Sequence, residues 1–493
     1  MKHLSVAFVL IALVGCSAPS ARLTFPDRPL KASHERQWFD VNHDGRNDFA
    51  VTFDDAGHVD ALEYDDNEDG TPDRIYHLRD YATDRVPHLI ILLDSVPFRC
   101  VAERWEKGEF RWFDGPPAKV IAPFPSLTEI CYTELLHAPP MPGMIDQYYD
   151  RQKRVKHNGL WSRAMGGYRY PWEQQLDYRS KFTEEGFAYL NPKPWYQAEL
   201  ERARRALNES PNRVTIVYLT SASGMACKYG RDGIDEVLDG ASRLCLQLLY
   251  ERHGALKISM MADHGHNLMA SKNIDIEKLL KPAGFHVNKR LDKPNDVVLE
   301  VNGLVTYAGV CTSRPSAVAD RLLTHPGIEL AMYMERDHIV VRDVNGSATI
   351  DSDHAGRLRY RTLTADVLGY EPVLGALRSA GKMDADGFAS RADWFAAAVD
   401  HSYPDAPSRL WAAFHECAVN PPDVMFTTHD GYCAGLPEFE RFITICSTHG
   451  SLNQINSATF LMTMTGRTLE KVLPTRDVMK SVEPTWQPRP VQK

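Results

Sequence analysis

One segment of this chain, residues 256–266, places two potential metal ligands beside a sharp turn. It reads as a short apolar strand that ends in Asp263, His264, Gly265 and His266. A buried strand of this kind delivers its polar residues to the carboxyl edge of a sheet, where open α/β sheets place their sites. A carboxylate beside an imidazole supplies two ligands for a divalent cation, and Gly265 lets the backbone turn away. The segment therefore indicates a metal site, with an ordinary polar strand end as the alternative.

Two further segments carry residues that suit the same chemistry. The uninterrupted apolar run His88–Asp94 ends in a carboxylate and suits a parallel strand covered on both faces. A second strand, Lys119–Ala122, precedes a helical pattern over Ile130–Leu136. This order places Thr128 near a helix N-terminus, where free N–H groups and the helix dipole favour an anion such as phosphate. The alternative is that Ser126 or Thr128 only caps the helix.

The elements around these residues predict a sheet with alternating strands and helices. The buried strand Val214–Leu219 is followed by a polar stretch and then by a helix with an apolar face from Ile234 to Leu249. The strand that ends at Asp263 comes next, and this alternation argues for a doubly wound sheet. Between about 287 and 375 the pattern changes to short strands, with a hairpin signal at residues 345–346, which predicts a small β-rich insertion.

Two strand-end histidines follow the insertion. Helical segments near 388–399 and 406–418 lead to the strand Asp423–Phe426, which precedes His429. A later segment brings His449 and a following glycine to a loop. Both segments therefore bring a histidine to a loop in the last part of the chain.

Size, charge and the N-terminus limit the class of protein. The chain has 493 residues and a net charge of −9, so it predicts one large and one small domain and gives no electrostatic reason to expect nucleic acid. An apolar run over Leu4–Val14 is too short to span a bilayer and fits a secretory leader. Residues 13–16 resemble a bacterial lipobox, with Cys16 as the lipidated residue; the alternative is an ordinary cleaved leader.

Eight later cysteines lack the spacing of a zinc knuckle, and their pairing is open.

An acidic pattern occurs twice between residues 37 and 85. Oxygen ligands at alternate positions, with a glycine for the tight turn, suit one hard cation such as Ca²⁺. The two candidate ligand sets are Asp40, Asn42, Asp44 and Asp48, and Asp65, Asn67, Asp69 and Asp73. Val51 and Tyr76 stand where an EF-hand carries glutamate, so the loops are similar to calcium loops of extracellular β-repeats, with a strand over Phe49–Phe53. The alternative is a pair of solvated acidic loops.

In this order, the chemistry-bearing segments resemble the alkaline phosphatase superfamily, and most of all its type I phosphodiesterase/nucleotide pyrophosphatase branch. The resemblance covers residues 88 to 466 and rests on the segments around Asp94, Thr128, Asp263–Gly265 and His449. It implies a three-layer α/β/α sandwich with a bimetallic site, usually zinc, and a threonine or serine nucleophile. A sulfatase is disfavoured, because residues 126–129 lack the modified Cys or Ser motif of those enzymes.

Carried over by position, the resemblance implies roles for individual residues. Asp94, Asp263 and His264 would hold one metal, and Thr128 would bind that metal and attack phosphorus. His449 would belong to the second metal, with His429 as its rival. The family pattern has an aspartate and a histidine at two further positions, where this chain has Ser223 and Cys227. The second site therefore has an altered ligand set, since serine is a poor zinc ligand and cysteine a good one.

The resemblance implies a metal-dependent hydrolase of phosphate diesters or pyrophosphates, with Zn²⁺ or Mn²⁺ as one or two ions, and the acidic loop pattern predicts bound Ca²⁺. The substrate would be a small phosphate ester or a glycan- or lipid-linked phosphate. The alternative is a weak or inactive family member that binds a ligand in the bacterial cell envelope, lipid-anchored and facing the periplasm or exterior. The predicted parts are a signal peptide (1–16), a spacer (17–36), a calcium-loop module (37–85), an alkaline-phosphatase-like domain (86–475) and a flexible tail (476–493).

Overall fold

The computed structural model describes residues 22–78, 85–158, 169–301, 303–435 and 445–491. Within these ranges the chain forms a mixed α/β fold with several sheets. The predicted signal peptide with Cys16 lies outside the described residues. Among the described helices, none combines the length and the apolar character that spanning a bilayer requires.

The strands, numbered in chain order, have the following bounds: β1 Lys31–Ala32, β2 Arg36–Phe39, β3 Phe49–Phe53, β4 Val59–Tyr64, β5 Arg74–His77, β6 His88–Leu93, β7 Ala118–Ile121, β8 Gln147–Asp150, β9 Val155–Asn158, β10 Val214–Leu219, β11 Lys257–Ala262, β12 Lys272–Asn273, β13 His286–Val287, β14 Asp296–Glu300, β15 Leu304–Val305, β16 Tyr307–Thr312, β17 Ile328–Glu335, β18 His338–Arg342, β19 Ser347–Ser352, β20 Leu358–Thr362, β21 Val424–Thr428, β22 Tyr432–Gly435, β23 Ala458–Thr463 and β24 Val472–Pro474.

The α-helices are α1 Phe98–Glu106, α2 Thr128–Leu135, α3 Phe182–Leu190, α4 Pro192–Glu209, α5 Ser221–Glu251, α6 Ile276–Leu280, α7 Pro315–Leu322, α8 Glu371–Ser379, α9 Arg391–Ala398, α10 Ala406–His415, α11 Gln454–Ser457 and α12 Thr475–Val482. Two short 3₁₀ helices cover Glu173–Gln175 and Lys281–Ala283.

A six-stranded sheet with the order β10-β6-β11-β23-β7-β24 positions the chemistry-bearing segments. Its strand β6 lies between β10 and β11 and is parallel to both. Every residue of β6 and β11 is buried, which agrees with the continuous apolar character of a parallel strand covered on both faces. The predicted strands at residues 88–94, 119–122, 214–219 and 256–262 are confirmed.

Helices cover both faces of this sheet. Leu89, Ile91 and Leu93 of β6 pack into a core that includes residues of α1, α4 and α5. Ile90 and Leu92 point to the opposite core, which includes residues of α2, α10 and α12. Successive side chains of a strand face opposite sides, so β6 alone contributes to both cores. This arrangement agrees with the predicted α/β/α layering.

A separate antiparallel sheet, β1 to β5 in sequence order, carries the two acidic loops. Its strand β3 confirms the strand predicted at residues 49–53. The sheet begins at Lys31, within the predicted spacer. Phe49 and Tyr64 contact Tyr250 of α5 with ring centroids 5.0 and 5.3 Å apart, and the Tyr64 hydroxyl donates to the Tyr250 carbonyl at 2.6 Å. The acidic module therefore packs against the domain through aromatic rings.

The β-rich part is larger than the predicted insertion of about residues 287–375. Its main sheet has eight strands in the order β13-β14-β16-β21-β17-β18-β19-β20. The strand β21, Val424–Thr428, follows the insertion in sequence but lies near the middle of this sheet, between β16 and β17. A turn at residues 343–346 joins β18 to β19, as the Asn345-Gly346 signal predicts.

Helix α5 corrects the polar stretch expected after Leu219. The helix begins at Ser221, and a break at Gly230, with φ 58° and ψ −129°, separates its two segments. Ala222, Met225 and Ala226 are buried in the core, and their spacing is helical. Serine and glycine at neighbouring positions obscured this short apolar stripe.

The predicted flexible tail is also wrong for its described residues. Residues 475–482 form α12, and Glu483 is buried. The Glu483 carboxylate accepts from Arg213 Nη2 at 2.6 Å and from His88 Nδ1 at 3.1 Å. The tail therefore docks onto the first residue of β6, because a buried imidazole there needs a polar partner.

We predict that Glu483→Gln lowers the free energy of unfolding by about 1–3 kcal/mol, because it removes the charge that strengthens the hydrogen bonds from Arg213 and His88. His88 and Arg213 hold the pKa of Glu483 well below its ordinary range. The stabilisation is complete above the unfolded carboxyl pKa of about 4.3 and is lost as the pH falls toward the lower folded value. The difference in the free energy of unfolding between the parent and Glu483→Gln, measured by denaturant titration, should therefore become smaller below about pH 4.

The matched control is Glu236→Gln, which removes a charge from the half-exposed Lys193–Glu236 pair. Exposed pairs contribute about 0–1 kcal/mol, so this variant should unfold nearly as the parent does. Equal losses in the two variants would show that the Glu483 contact does not hold the tail.

Candidate active site

The strand register brings two carboxylates together. Leu93 of β6 pairs with Ala262 of β11 in parallel, so the next residue of each strand, Asp94 and Asp263, emerges at the same edge of the sheet. Leu219 of β10 pairs with Leu93 on the other side, so the first segment of α5 begins at the same edge. The site therefore lies at the carboxyl ends of three parallel strands, as predicted.

Asp94, Asp263 and His264 form a buried group whose candidate ligand atoms all lie within 4.8 Å of one another. Among the described residues, no other group of three His, Cys, Asp or Glu side chains has its ligand atoms this close together. Each side chain is at most 2% exposed. The structure thus brings together three of the residues that the sequence analysis assigned to one metal.

The atoms of this group fit a divalent cation. Asp263 Oδ2 and His264 Nε2 are buried and 3.3 Å apart, yet neither has a hydrogen-bond partner. His264 Nδ1 lies 3.0 Å from the Gly265 carbonyl, which only accepts, so Nδ1 carries the proton and Nε2 a lone pair. An unpartnered oxygen and an unpartnered nitrogen at this spacing, beside a second carboxylate, are a ligand set for such a cation.

Hydrogen bonds fix the two carboxylates from behind. Asp94 accepts from the Tyr218 hydroxyl at 2.6 Å and from the Ser95 hydroxyl at 2.7 Å. Asp263 Oδ1 accepts from the backbone N–H groups of Ser95 and His264, both at 2.9 Å. These contacts leave Asp263 Oδ2 as the oxygen free to bind a cation.

The electrostatics of the group favour an added positive charge. Burial and the neighbouring Asp263 raise the pKa of Asp94 well above its ordinary value, and burial raises the pKa of Asp263 to about 7. Burial also lowers the pKa of His264 to about 4, so the imidazole is neutral near pH 7. A cation would relieve the repulsion between the carboxylates and bind the neutral imidazole.

Thr128 stands at the first position of α2 and faces this group. Its hydroxyl lies 3.5 Å from Asp94 Oδ1. The N-cap of α2 is Leu127, and it makes no side-chain capping bond. Ser126 donates instead to the carbonyls of Pro123 and Ser451. The alternative that Ser126 or Thr128 only caps the helix is therefore wrong.

His449 reaches the site and His429 does not. The His449 ring stacks on the His264 ring with centroids 4.0 Å apart, and its Nδ1 lies 3.0 Å from the Ser126 carbonyl. His429 is exposed, and its backbone N–H donates to the carbonyl of Gly327, the residue before β17. The structure therefore favours His449 as the late histidine.

Ser223 and Cys227 lie one turn apart on the first segment of α5. Ser223 Oγ accepts from the Tyr189 hydroxyl at 3.3 Å and lies 3.4 Å from the Ser95 hydroxyl oxygen. Cys227 Sγ lies 3.8 Å from Nε2 of His266. Burial raises the pKa of the Cys227 thiol to about 12. Both residues adjoin the site, but Ser223 is engaged by neighbouring hydroxyl groups.

Sequence reasoning assigned no role to Tyr218, Ser95 or Tyr189. Tyr218 is the last residue but one of β10, where it reads as one more apolar residue, and only the register with β6 places its hydroxyl on Asp94. Ser95 follows Asp94 with φ 66°, a backbone conformation that the sequence does not reveal. His266 was visible as a polar strand-end residue, but its partner Cys227 lies 39 residues away.

The two acidic loops share one internal hydrogen-bond pattern. In the first loop Asp40 accepts from the N–H groups of residues 44 and 45, and Asp48 accepts from those of residues 41 and 42. In the second loop Asp65 and Asp73 accept in the same way from residues 69, 70, 66 and 67. The repeat is therefore structural as well as sequential, and calcium binding stays a prediction. Of the described cysteines, the free thiols include Cys100, Cys131, Cys227, Cys245, Cys311, Cys417 and Cys446.

No protein-family model and no curated protein matches this chain. Solved structures similar to it include human ectonucleotide pyrophosphatase/phosphodiesterase 5, with a TM-score of 0.42 and 10% identity over 80% of this chain and 92% of that one. The murine protein in complex with AMP gives 0.41 and 9% over 80% and 93%. Phosphonoacetate hydrolase from Sinorhizobium meliloti 1021, in complex with phosphonoformate, gives 0.40 and 12% over 82% and 95%. These values describe a partial likeness of fold.

We predict that Zn²⁺ or Mn²⁺ raises the melting temperature of the metal-stripped protein and that Asp263→Asn reduces this shift. A cation at one hundred times its dissociation constant stabilises a folded protein by about 2.7 kcal/mol. Glu300→Gln is the matched control, because Glu300 is also fully buried and burial raises its pKa to about 7 as well. An unchanged shift in Asp263→Asn would exclude the group as the cation site.

Proposed function

We propose that this chain is a metal-dependent hydrolase of phosphate esters that uses Thr128 as its nucleophile. The observation that carries the proposal is the meeting of three features at one place. The Thr128 hydroxyl lies 3.5 Å from Asp94 Oδ1, the Asp94–Asp263–His264 group has two unpartnered ligand atoms, and the N-terminus of α2 has no side-chain cap. Together they supply a nucleophile, a cation site and a binding site for an anion.

The residues divide the work of phosphoryl transfer. When bound, a divalent cation lowers the pKa of a nearby hydroxyl and stabilises charge on phosphoryl oxygens. Asp94 lies close enough to Thr128 to orient the hydroxyl, and Tyr218 and Ser95 in turn hold Asp94. The oxygen of Thr128 forms the new bond to phosphorus as the ester oxygen leaves, and water then releases the phosphoryl group from the threonine.

Helix α2 suits the anionic part of the substrate. Its N-terminal N–H groups and helix dipole favour negative charge at the position of Thr128. The segment before the helix is fixed by the contact of His449 Nδ1 with the Ser126 carbonyl and by the donation from Ser126 N–H to Gly450. A phosphoryl group placed there lies between the helix and the cation site, where in-line attack needs it.

The preference for diesters or pyrophosphates comes from the sequence resemblance. The second candidate function is a protein that binds a phosphorylated or sulfated ligand without turnover. It is favoured by Ser223 and Cys227, which replace two ligands of the family pattern, and opposed by the intact group around Asp263. Turnover of a chromogenic phosphodiester separates the two functions.

The proposal also covers the cellular location of the protein and the two acidic loops. We propose that Cys16 is the lipidated residue of an envelope protein and that Ca²⁺ binds the two loops that start at Asp40 and Asp65. The sequence pattern of residues 4–16 supports the first statement. The repeated loop geometry supports the second. In this arrangement calcium stabilises the module that packs against α5.

We predict that Thr128→Ala lowers kcat for a chromogenic phosphodiester by at least about 100-fold, because it removes the attacking oxygen. Thr128→Ser keeps a hydroxyl at the same position and should retain part of the activity. Metal content, counted per chain, should stay the same in both variants. Parent-like turnover in Thr128→Ala would remove Thr128 from the mechanism, and absence of turnover in the parent with either metal would favour the binding protein.

A further inference from the structure

Arg409, on α10, carries a buried guanidinium that takes no part in the hydrolysis proposed above. The residue is 6% exposed, and burial lowers its pKa to about 10, so the side chain is charged near pH 7. Every hydrogen-bond acceptor of this side chain among the described residues is a neutral carbonyl or hydroxyl oxygen. Burial of a charge costs free energy unless hydrogen bonds offset it. The acceptors of this guanidinium therefore indicate what its burial achieves.

The guanidinium contacts the two segments that bring the nucleophile and the late histidine to the site. We name residues 123–128 the nucleophile segment and residues 449–457 the histidine segment. In the histidine segment, Nη1 of Arg409 donates to the Leu452 carbonyl at 2.8 Å, and Nη2 donates to the Ser457 hydroxyl at 2.6 Å. One charged group therefore fixes the histidine segment at two places.

The same guanidinium reaches the nucleophile segment. Nη2 of Arg409 donates to the Pro123 carbonyl and to the Ser126 hydroxyl, each at 3.4 Å. These contacts are longer than those to the histidine segment, because the same nitrogen also binds Ser457. The hydroxyl oxygens of Ser126 and Ser457 are themselves 3.4 Å apart. Arg409 therefore lies where the two segments meet.

Direct contacts also join the two segments. The Ser126 N–H donates to the Gly450 carbonyl at 3.3 Å, and the Ser126 hydroxyl lies 3.2 Å from the Ser451 carbonyl oxygen. The Ser126 carbonyl contacts His449 Nδ1 at 3.0 Å. Thr128 begins α2 two residues after Ser126. The position of the nucleophile therefore depends on how the two segments are held together.

We propose that Arg409 is a positioning residue, which holds the nucleophile segment and the histidine segment together and thereby sets the place of the Thr128 hydroxyl. This role deepens the proposed function and rests on it for Thr128 as the nucleophile. The planar guanidinium has five N–H donors in a fixed geometry, so it can serve acceptors in both segments at once. Lysine would keep the charge but would lose this geometry.

The first test compares amide hydrogen exchange in the parent and in Arg409→Lys by mass spectrometry. The backbone N–H groups of Ser126 and Ser457 are both hydrogen-bonded, to Gly450 and Asn453. We expect exchange in the two segments to become faster by at least about 10-fold, because hydrogen bonds from a charged donor are lost. Exchange in β10 should stay the same. This measurement needs no turnover, so it decides the role of Arg409 in an inactive parent as well.

The second test measures turnover of a chromogenic phosphodiester. Arg409→Lys should lower kcat by about 10–100-fold, with a smaller change in KM, because a displaced nucleophile slows the chemical step. The rise in melting temperature with Zn²⁺ should equal that of the parent, since the hydrogen bonds of Arg409 do not include the Asp94–Asp263–His264 group. Loss of this rise would contradict a role confined to the two segments.

Arg104→Lys is the matched control. Arg104 is also buried, at 9% exposure, but its partners are the carboxylates of Glu109, Asp235 and Asp239, which lie in neither segment. This variant should lose stability while it keeps the kcat of the parent and the exchange rates of both segments. Equal effects of Arg104→Lys and Arg409→Lys on kcat would reduce the role of Arg409 to general stability.

Ser457→Ala tests the same contact from the other side and decides the case if Arg409→Lys does not fold. It removes the acceptor 2.6 Å from Nη2 and should also speed exchange in the nucleophile segment. In the double variant, the loss of kcat should be smaller than the sum of the two single losses expressed as free energies.

Unchanged exchange in the two segments of the folded variants, or a parent-like kcat in Arg409→Lys, would overturn the positioning role. A parent without turnover, combined with faster exchange in Arg409→Lys, would keep the contact between the segments while it removes the proposed function.

Discussion

Two buried carboxylates at adjacent strand ends are the constraint on which the rest of this structure depends. Asp94 and Asp263 follow paired residues of two parallel strands, so the register that stabilises the sheet also forces like charges together. Burial makes this costly, and it raises the pKa of both groups. Such an arrangement persists when protons, hydrogen bonds or a cation offset the repulsion. In this chain, hydroxyl groups donate to Asp94 and backbone N–H groups donate to Asp263 Oδ1. Asp263 Oδ2 remains available for a cation.

The surrounding elements follow from this constraint. Gly265 lets the chain leave the strand end between other backbones, since a Cβ there would lie 2.4 Å from the Ile455 carbonyl oxygen. The Gly265 N–H donates to Asn456, and the Asn267 N–H donates to Thr448, so the turn after β11 is bound to the segment that carries His449. Helix α2 then presents Thr128 from the opposite side. The site is thus assembled from four separate stretches of chain around one sheet edge.

The sequence predicted those features of the fold and the site that depend on residues close together in the chain. Continuous apolar runs located the central strands, and the polar residue at the end of each run located Asp94 and Asp263. The order of motifs pointed to Thr128 and His449, which the structure brings next to this group. Contacts between distant residues could not be predicted in this way: Tyr218 looks like a core residue until the register puts its hydroxyl on Asp94. Glu483 looks like part of a polar tail until His88, 395 residues earlier, is seen to need a partner. The start of α5 was hidden because small residues gave its first turns little hydrophobic pattern.

The position of β23 has a consequence for how the chain is made. This strand covers residues 458–463, yet it lies inside the central sheet between β11 and β7, and the edge strand β24 is later still. During synthesis, β11 and β7 therefore each have an unpaired edge until residues 458–463 have left the ribosome. Strand edges exposed for that long invite pairing with other chains. A chain of this topology therefore completes its central sheet only after the long stretch between β11 and β23 has been made.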